Sequence, residues 1–528
     1  MNVRPRLVVA LVASWVFFAP SAAGAQTGTP PPGQTRAQRI AAETQAAARA
    51  ADQGGANTSL TPPPSAGRQA AGAAAGPQAG RWTSCELPVG FNPIHASVLP
   101  DGSVLLMAGS GNNAANFQAG NLQSFVFYPD TCTTVPVATP SDMFCSGHTS
   151  LPNGNVLVAG GTAQYDPFHG SPTSYEYDWI NRRFVPVPAM ARGRWYPSAT
   201  ELGNGDVFVI SGLDGSGQLA KRAEIYNYRA RTWSDVPYDL SVPTYPNILP
   251  ATGGRLFFTG VGFGTSAHPA GFLHPRTGGF QAVGGLDTNK RDQGASFFVP
   301  NTQGRRVMVA GGGVATTALI DLYASSPSYR AGPTLGSSPT YLSHATLFDG
   351  RVLLAGGQDP QKNPIFTTQL YQPSTNSFEP SAPVSGAHQY HSNMWVDRAG
   401  RAILVGGNPN RATVQRLVER FEPWYIDVPD RPTITAAPRT IVHGESFGAG
   451  VRLATGTTLK SLRLFRLAST THQYNAAEGD FTLTPTNTST GTRWTLTLSA
   501  DVTPPGYYYL VAVDSRDVPS VASIVKVT

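Results

Sequence analysis

The chain has 528 residues, long enough for more than one domain and a large core. Its 38 basic and 32 acidic residues leave a formal charge of +6, spread without a run. That pattern excludes a nucleic-acid stripe and reads as a solvated surface. Three cysteines, Cys85, Cys132 and Cys145, leave one without a disulfide partner in an oxidising compartment.

The first element is a secretory signal over residues 1–25. MNVRPRLVVALVASWVFFAPSAAGAQ carries Arg4 and Arg6, an apolar run from Leu7 to Phe18, and small residues up to Ala25. The run is too short to span a bilayer, and no other stretch predicts a membrane span. An exported chain is therefore expected, secreted or held in the periplasm or at the cell surface. Residues 26–80 are rich in Ala, Gln, Gly and Pro, too poor in large apolar groups to offset the entropy of ordering, which predicts a disordered spacer. AQRIAAETQAAARAA within it has helical propensity but no apolar stripe with which to dock.

One phrase then recurs: LPDGSVLLMAGS, LPNGNVLVAGG, LGNGDVFVISG, LPATGGRLFFTG, GRRVMVAGGG, LFDGRVLLAGG and DRAGRAILVGG. Each is a turn, an apolar strand and then glycines where backbones crowd. A period of about fifty residues with paired glycines is the kelch pattern. Seven copies over 81–427 predict a seven-bladed β-propeller. From 428 to 528, short strands with frequent turns predict an immunoglobulin-like β-sandwich. The expected fold class is all-β throughout.

In a propeller, residues just upstream of each innermost strand converge on the axis. FCSGHTS (144–150), RGRWYPS (192–198) and HQYHSNMW (388–395) occupy that position, so Cys145, Tyr196, Tyr390 and His391 should point toward one end of the channel. His472, in STTHQYN of the tail, joins them only if a loop of the sandwich reaches the propeller. Two imidazoles and two phenols suit neither zinc nor calcium. Mixed nitrogen and oxygen donors suit Cu(II), whose charge deprotonates a ligating phenol.

These residues resemble the copper radical oxidases, the family of galactose oxidase and glyoxal oxidase. The motifs are Phe-Cys-Ser-Gly at Cys145, Arg-Trp-Tyr-Pro at 194–197, Tyr-His-Ser at 390–392, Thr-His at 471–472 and the closing PPGYYYLVAVDSRDVPSVASIVKV. The resemblance implies one copper per chain, with His391, His472, Tyr196 and Tyr390 as ligands. It implies a thioether between Cys145 and Tyr196 that makes Tyr196 a stable radical, and Tyr390 as general base. With Cys145 so used, Cys85 and Cys132 are left to form a disulfide. The expected activity is oxidation of a small aldehyde or primary alcohol by dioxygen, with release of hydrogen peroxide, by a monomer.

The match has departures. Galactose oxidase carries a tryptophan over the radical ring in the stretch that is SGLDGSG (211–217) here. Trp195 is the replacement shield, in the manner of glyoxal oxidases, or else packs between blades. THQYNAAEGDF departs from the glyoxal oxidase tail, which makes His472 the ligand whose loop is hardest to place. Arg291 and Gln358 lie in loops of suitable phase for substrate contact. His95, His148, His344 and His388 read as buried histidines satisfied by carbonyls, with His148 also close enough in sequence to support Cys145. The competing reading is a non-catalytic kelch propeller that binds carbohydrate or protein. Such a module has no reason to keep this ligand set.

Overall fold

The structure is a computed structural model that describes Gln38, Ala41, Ala42, Gln45 and residues 80–264, 268–286, 291–408, 413–488 and 491–528. The predicted signal and most of the predicted spacer lie outside the described residues. The chain is nearly all β. Among the described residues no helix is long and apolar enough to cross a membrane.

Among the described residues, seven antiparallel sheets of four or more strands and one two-stranded ribbon, Thr162–Gln164 with His169–Gly170, account for the strands of residues 81–422. In each of the seven, the strand before the recurring turn pairs with the apolar strand after it, as Ser198–Glu201 pairs with Val207–Ile210. The apolar runs are buried throughout, because each is covered on both faces. One cluster joins Leu105, Met107 and Val126 to Val156, Val158 and Tyr177 of the next sheet, and another joins Leu157 and Ala159 to Val207, Val209 and Tyr226. Truncating such a side chain to Ala costs about 2–5 kcal/mol. The first strand, Arg81–Glu86, pairs with Leu417–Glu422, so the two ends of this region share one sheet.

The first strands of successive sheets lie side by side: Gly147–Ser150 against Ser198–Glu201, that strand against Ile248–Ala251, and Ser343–Thr346 against Asn393–Val396. The residue just upstream is left-handed again and again. Cys145, Tyr196, Tyr245, Gln293, Tyr341 and His391 all have φ between 41° and 68°. Backbone bonds tie neighbours in this series: Tyr196 N–H donates to Cys145 O (2.9 Å), Tyr245 N–H to Tyr196 O (2.8 Å) and Tyr341 N–H to Gln293 O (2.9 Å). The left-handed turn is therefore a property of the repeat, which the ligands inherit. The glycines make room for it. A Cβ on Gly161 would stand 2.2 Å from Asp142 O, and one on Gly407 2.8 Å from Ala387 O, at φ +124° and +129°.

The tail folds into a five-stranded sheet facing a three-stranded one, with Leu462, Leu464, Tyr508 and Leu510 packed against Trp494 and Leu496. Residues 469–479 leave it. Ser469–Thr471 pairs antiparallel with His95–Val98 of the repeat region, Thr471 opposite His95. Tyr474 Oη donates to Ile248 O at 2.8 Å, and Arg466 forms a buried ion pair with Glu201.

One expectation changes. Gln38, Ala41, Ala42 and Gln45 are helical, and Ala41 is 4 % exposed within an aromatic cluster that holds Phe144, Phe168 and Trp195. An apolar stripe was not needed for docking. A methyl group approaches ring faces closely, and Gln45 brings its own hydrogen bonds: it donates to Phe168 O at 2.9 Å and accepts from Phe168 N–H at 3.2 Å.

Candidate metal and redox centre

Cys145, Tyr196, Tyr390, His391 and His472 come together although 327 positions separate the first from the last. Each is at most 2 % exposed. The His391 and His472 rings stand 4.7 Å apart and nearly perpendicular. Tyr196 lies 4.9 Å and Tyr390 5.5 Å from His472, centroid to centroid. Tyr390 stacks on its neighbour His391 at 3.6 Å. Donor atoms of Cys145, His391 and His472 lie within 4.8 Å of one another, with Cys145 Sγ 3.8 Å from His472 Nε2.

The hydrogen bonds around the imidazoles fix their tautomers. Asn408 Oδ1 accepts from His391 Nδ1 at 3.1 Å, so the lone pair is on Nε2, which is buried and has no hydrogen-bond partner. Thr471 Oγ1 lies 2.6 Å from His472 Nδ1, which leaves Nε2 facing Cys145 and the site. The Tyr196 hydroxyl is likewise buried without a partner. A buried polar atom without a partner costs about 1–3 kcal/mol, which a metal ion at these atoms would relieve. Burial pushes His391 down to about 3, against the hydrogen bond it donates to Asn408, and holds His472 well below its ordinary range. Both imidazoles are therefore neutral, the form that ligates. The donor set fits copper: borderline imidazole nitrogen and phenol oxygen in a buried cluster, with no carboxylate grouped with them among the described residues.

Trp195 stacks face to face on Tyr196 at 3.8 Å and 8°. It thus covers the ring that the stretch 211–217 leaves uncovered, and that stretch serves instead as a backbone brace, Leu213 and Trp195 exchanging hydrogen bonds of 2.7 and 2.8 Å. Arg291 is buried, its guanidinium donating to Gly311 O at 3.1 Å and Thr316 O at 2.6 Å. Gln358 accepts from Gln389, next to Tyr390, at 3.2 Å. Cys85 and Cys132 form a disulfide, and Cys145 is a buried thiol.

His95 and His148 each approach a carbonyl, Met143 O at 3.1 Å and Ala96 O at 3.4 Å. His388 bridges Gly406 O and Glu419 at 2.7 and 2.8 Å, anchoring the loop that carries Tyr390 and His391. His344 has no such carbonyl. Its nearest ionic neighbour is Glu478 at 3.7 Å.

Three residues escaped the sequence reading. Tyr245 lies 4.4 Å from His472 and 4.6 Å from Tyr196, and Tyr341 lies 5.0 Å from Tyr390. Their repeat phase, shared with Tyr196, was the available signal. Asn408 directly follows the paired glycines Gly406 and Gly407, and its role depends on where that turn lands.

A galactose oxidase-like early set domain family matches residues 431–527. Galactose oxidase of Gibberella zeae is 26% identical over 503 residues, 86% of this chain and 71% of that protein. Aldehyde oxidase GLOX of Vitis pseudoreticulata is 22% identical over 448 residues, 74% of this chain and 83% of that protein. A solved fungal alcohol oxidase of the AA5 family, in complex with copper, shares the fold with a TM-score of 0.71 at 19% identity, over 85% of this chain and 100% of that one. By these matches the chain is similar to galactose oxidase and to the plant aldehyde oxidase over most of its length, and to the galactose oxidase-like early set domain over residues 431–527.

Proposed function

We propose that this chain is an exported, monomeric copper radical oxidase that oxidises a small aldehyde or primary alcohol with dioxygen and releases hydrogen peroxide. That it is a copper-dependent oxidase rests on relatives named galactose oxidase and aldehyde oxidase. The observation that carries the radical chemistry is the convergence of Cys145, Tyr196, Tyr390, His391 and His472 in one buried cluster, with His391 Nε2 and the Tyr196 hydroxyl left without hydrogen-bond partners. The architecture we infer is a seven-bladed propeller at 81–427 with an immunoglobulin-like sandwich at 428–528. Seven sheets whose first strands lie side by side, and the shared sheet of Arg81–Glu86 and Leu417–Glu422, support it. Export is supported by the leader over 1–25, and the disulfide suits an oxidising compartment.

Copper held by Nε2 of His391 and His472 and by the phenol oxygens of Tyr196 and Tyr390 would supply one of the two oxidising equivalents and return electrons to dioxygen. The remaining work belongs to the chain. Tyr390 Oη takes the hydroxyl proton of the alcohol or, for an aldehyde, of the gem-diol formed by addition of water. Tyr196, bonded through its ring to Cys145 Sγ and oxidised by one electron, takes a hydrogen atom from the substrate carbon. The proton, the hydrogen atom and the remaining electron together amount to the two hydrogens that convert dioxygen to peroxide, so the turnover balances. Asn408 and Thr471 hold the imidazoles in the ligating tautomer, and Tyr245, Phe263 and Tyr341 wall the site from water.

A small substrate is favoured because aromatic and apolar residues pack around the cluster and Arg291 is engaged by backbone carbonyls. The test is a peroxide assay of copper-loaded protein across simple aldehydes, primary alcohols and galactose. Turnover of the small compounds above galactose is expected. No peroxide from any of them would return the chain to a binding role.

A further inference from the structure

Tyr196, Trp195 and Phe168 form one column of rings. Trp195 lies 3.8 Å from Tyr196 at 8°, and Phe168 lies 4.2 Å from Trp195 at 9°. Aromatic pairs left to themselves prefer offset or edge-on contacts with centroids about 4.5–7 Å apart. Two successive parallel stacks closer than that are imposed by their surroundings. For Trp195 the imposing contact is a backbone one, the paired bonds to Leu213. For Phe168 it is Gln45, whose side chain bonds both the N–H and the C=O of that residue, while Ala41 packs into the same cluster. Phe168 is 1 % exposed, so the outer face of Trp195 is covered by a ring that is itself clamped from outside the repeats.

We infer that Phe168 is a positioning residue for the oxidised tyrosine: it holds Trp195 flat on Tyr196 and closes the face through which a solution reductant would reach the pair. Gln45 fixes Phe168 in turn. This rests on the reading of Tyr196 as the redox-active phenol. With Phe168 in place, a one-electron donor meets the column at a third ring. Without it, Trp195 can tilt and its outer face meets water.

The experiment compares the copper-loaded parent with Phe168→Leu, Phe168→Tyr and Gln45→Ala, each oxidised with ferricyanide and then left without substrate. The readout is the decay rate of the visible band of oxidised Tyr196, with copper content and melting temperature measured beside it. Phe168→Leu should lose the band about threefold to tenfold faster than the parent, on the scale of one lost ring contact. Phe168→Tyr, which keeps a ring, should restore the parent's rate, and Gln45→Ala should fall between. A merely structural role would lower the melting temperature and leave the decay rate alone. Should Phe168→Leu fail to fold, Gln45→Ala decides: decay at the parent's rate overturns the inference, as does parent-like decay in a folded Phe168→Leu. A parent that never develops the band would instead sink the radical reading itself, and this inference with it.

Discussion

His391 and His472 face the same point from opposite kinds of scaffold. His391 sits at the left-handed residue that six of the seven large sheets share, with φ 68°, and its carrier loop is pinned by the buried His388–Glu419 pair. His472 has no repeat behind it. It rides on Ser469–Thr471, a strand lent by the tail to the sheet of His95–Val98, and its φ of 49° is followed by Gln473 at 63°. The difference teaches where ligand geometry comes from. One is set by a module that recurs, the other by a single docking event between two parts of the chain.

The largest effect should come from a residue on the repeat side of this comparison. Cys145→Ser leaves His391, His472 and both phenols in place, so copper content should stay near that of the parent. Peroxide production should fall at least about a hundredfold, because an unmodified phenol is harder to oxidise than one carrying sulfur. Intact-mass measurement should find the parent lighter by two hydrogens beyond the disulfide. Undiminished turnover by Cys145→Ser would remove the cross-link from the mechanism.

Next in size are the ligands themselves. His391→Ala and His472→Ala should each lose most of the copper by metal analysis. They should differ in stability: His391→Ala empties one position on an intact repeat, whereas His472→Ala sits in the segment that joins tail to repeats. A lower melting temperature for the metal-free His472→Ala alone would sharpen the contrast. Full copper retention by either variant would remove it from the ligand set.

Most of this arrangement was legible from the residues. The recurring turn, strand and glycines give the period, and the period puts Cys145, Tyr196 and His391 in phase. Trp195 was legible as an alternative to packing, and its stack on Tyr196 follows from adjacency at a left-handed turn. His472 was less so, because strand donation by the tail is a long-range event that local pattern does not encode. Asn408 was hidden for the same reason, its contact with His391 resting on how a glycine turn closes. Ala41 and Gln45 were hidden because compositional reasoning weighs apolar area, and their docking rests on a methyl group and two backbone hydrogen bonds.

The orienting groups should matter less than the ligands. Asn408→Ala and Thr471→Val each free an Nδ1–H or leave it unbonded, so the ring can turn away from the metal. Loss of such a partner typically weakens metal binding by about 10–100-fold. Copper titration of the two variants compares the scaffolds directly. Equal weakening would mean that both imidazoles depend on their partners alone, and unchanged affinity in both would show that packing orients the rings.

The smallest effect is on the stability of the metal-free protein in mild acid. Burial holds His391 down at about 3 and His148 at about 4, each against an ordinary value of 6.5. Between 6.5 and those values the unfolded chain binds protons that the native protein refuses, so stability falls as pH falls through that window and is fully present above it. Each such histidine steepens the dependence by up to about 1.4 kcal/mol per pH unit. Replacing His391 with Gln removes one proton from the difference while keeping a polar group near Asn408. Its metal-free melting temperature should therefore decline less steeply from pH 6.5 to 4 than that of the parent. Copper saturation should steepen the acid limb of the parent, since protons then compete with the metal for the same nitrogen, and should do so less in the variant. Identical slopes for parent and variant would mean that His391 is protonated in the native protein, and its place as a neutral ligand would have to be given up.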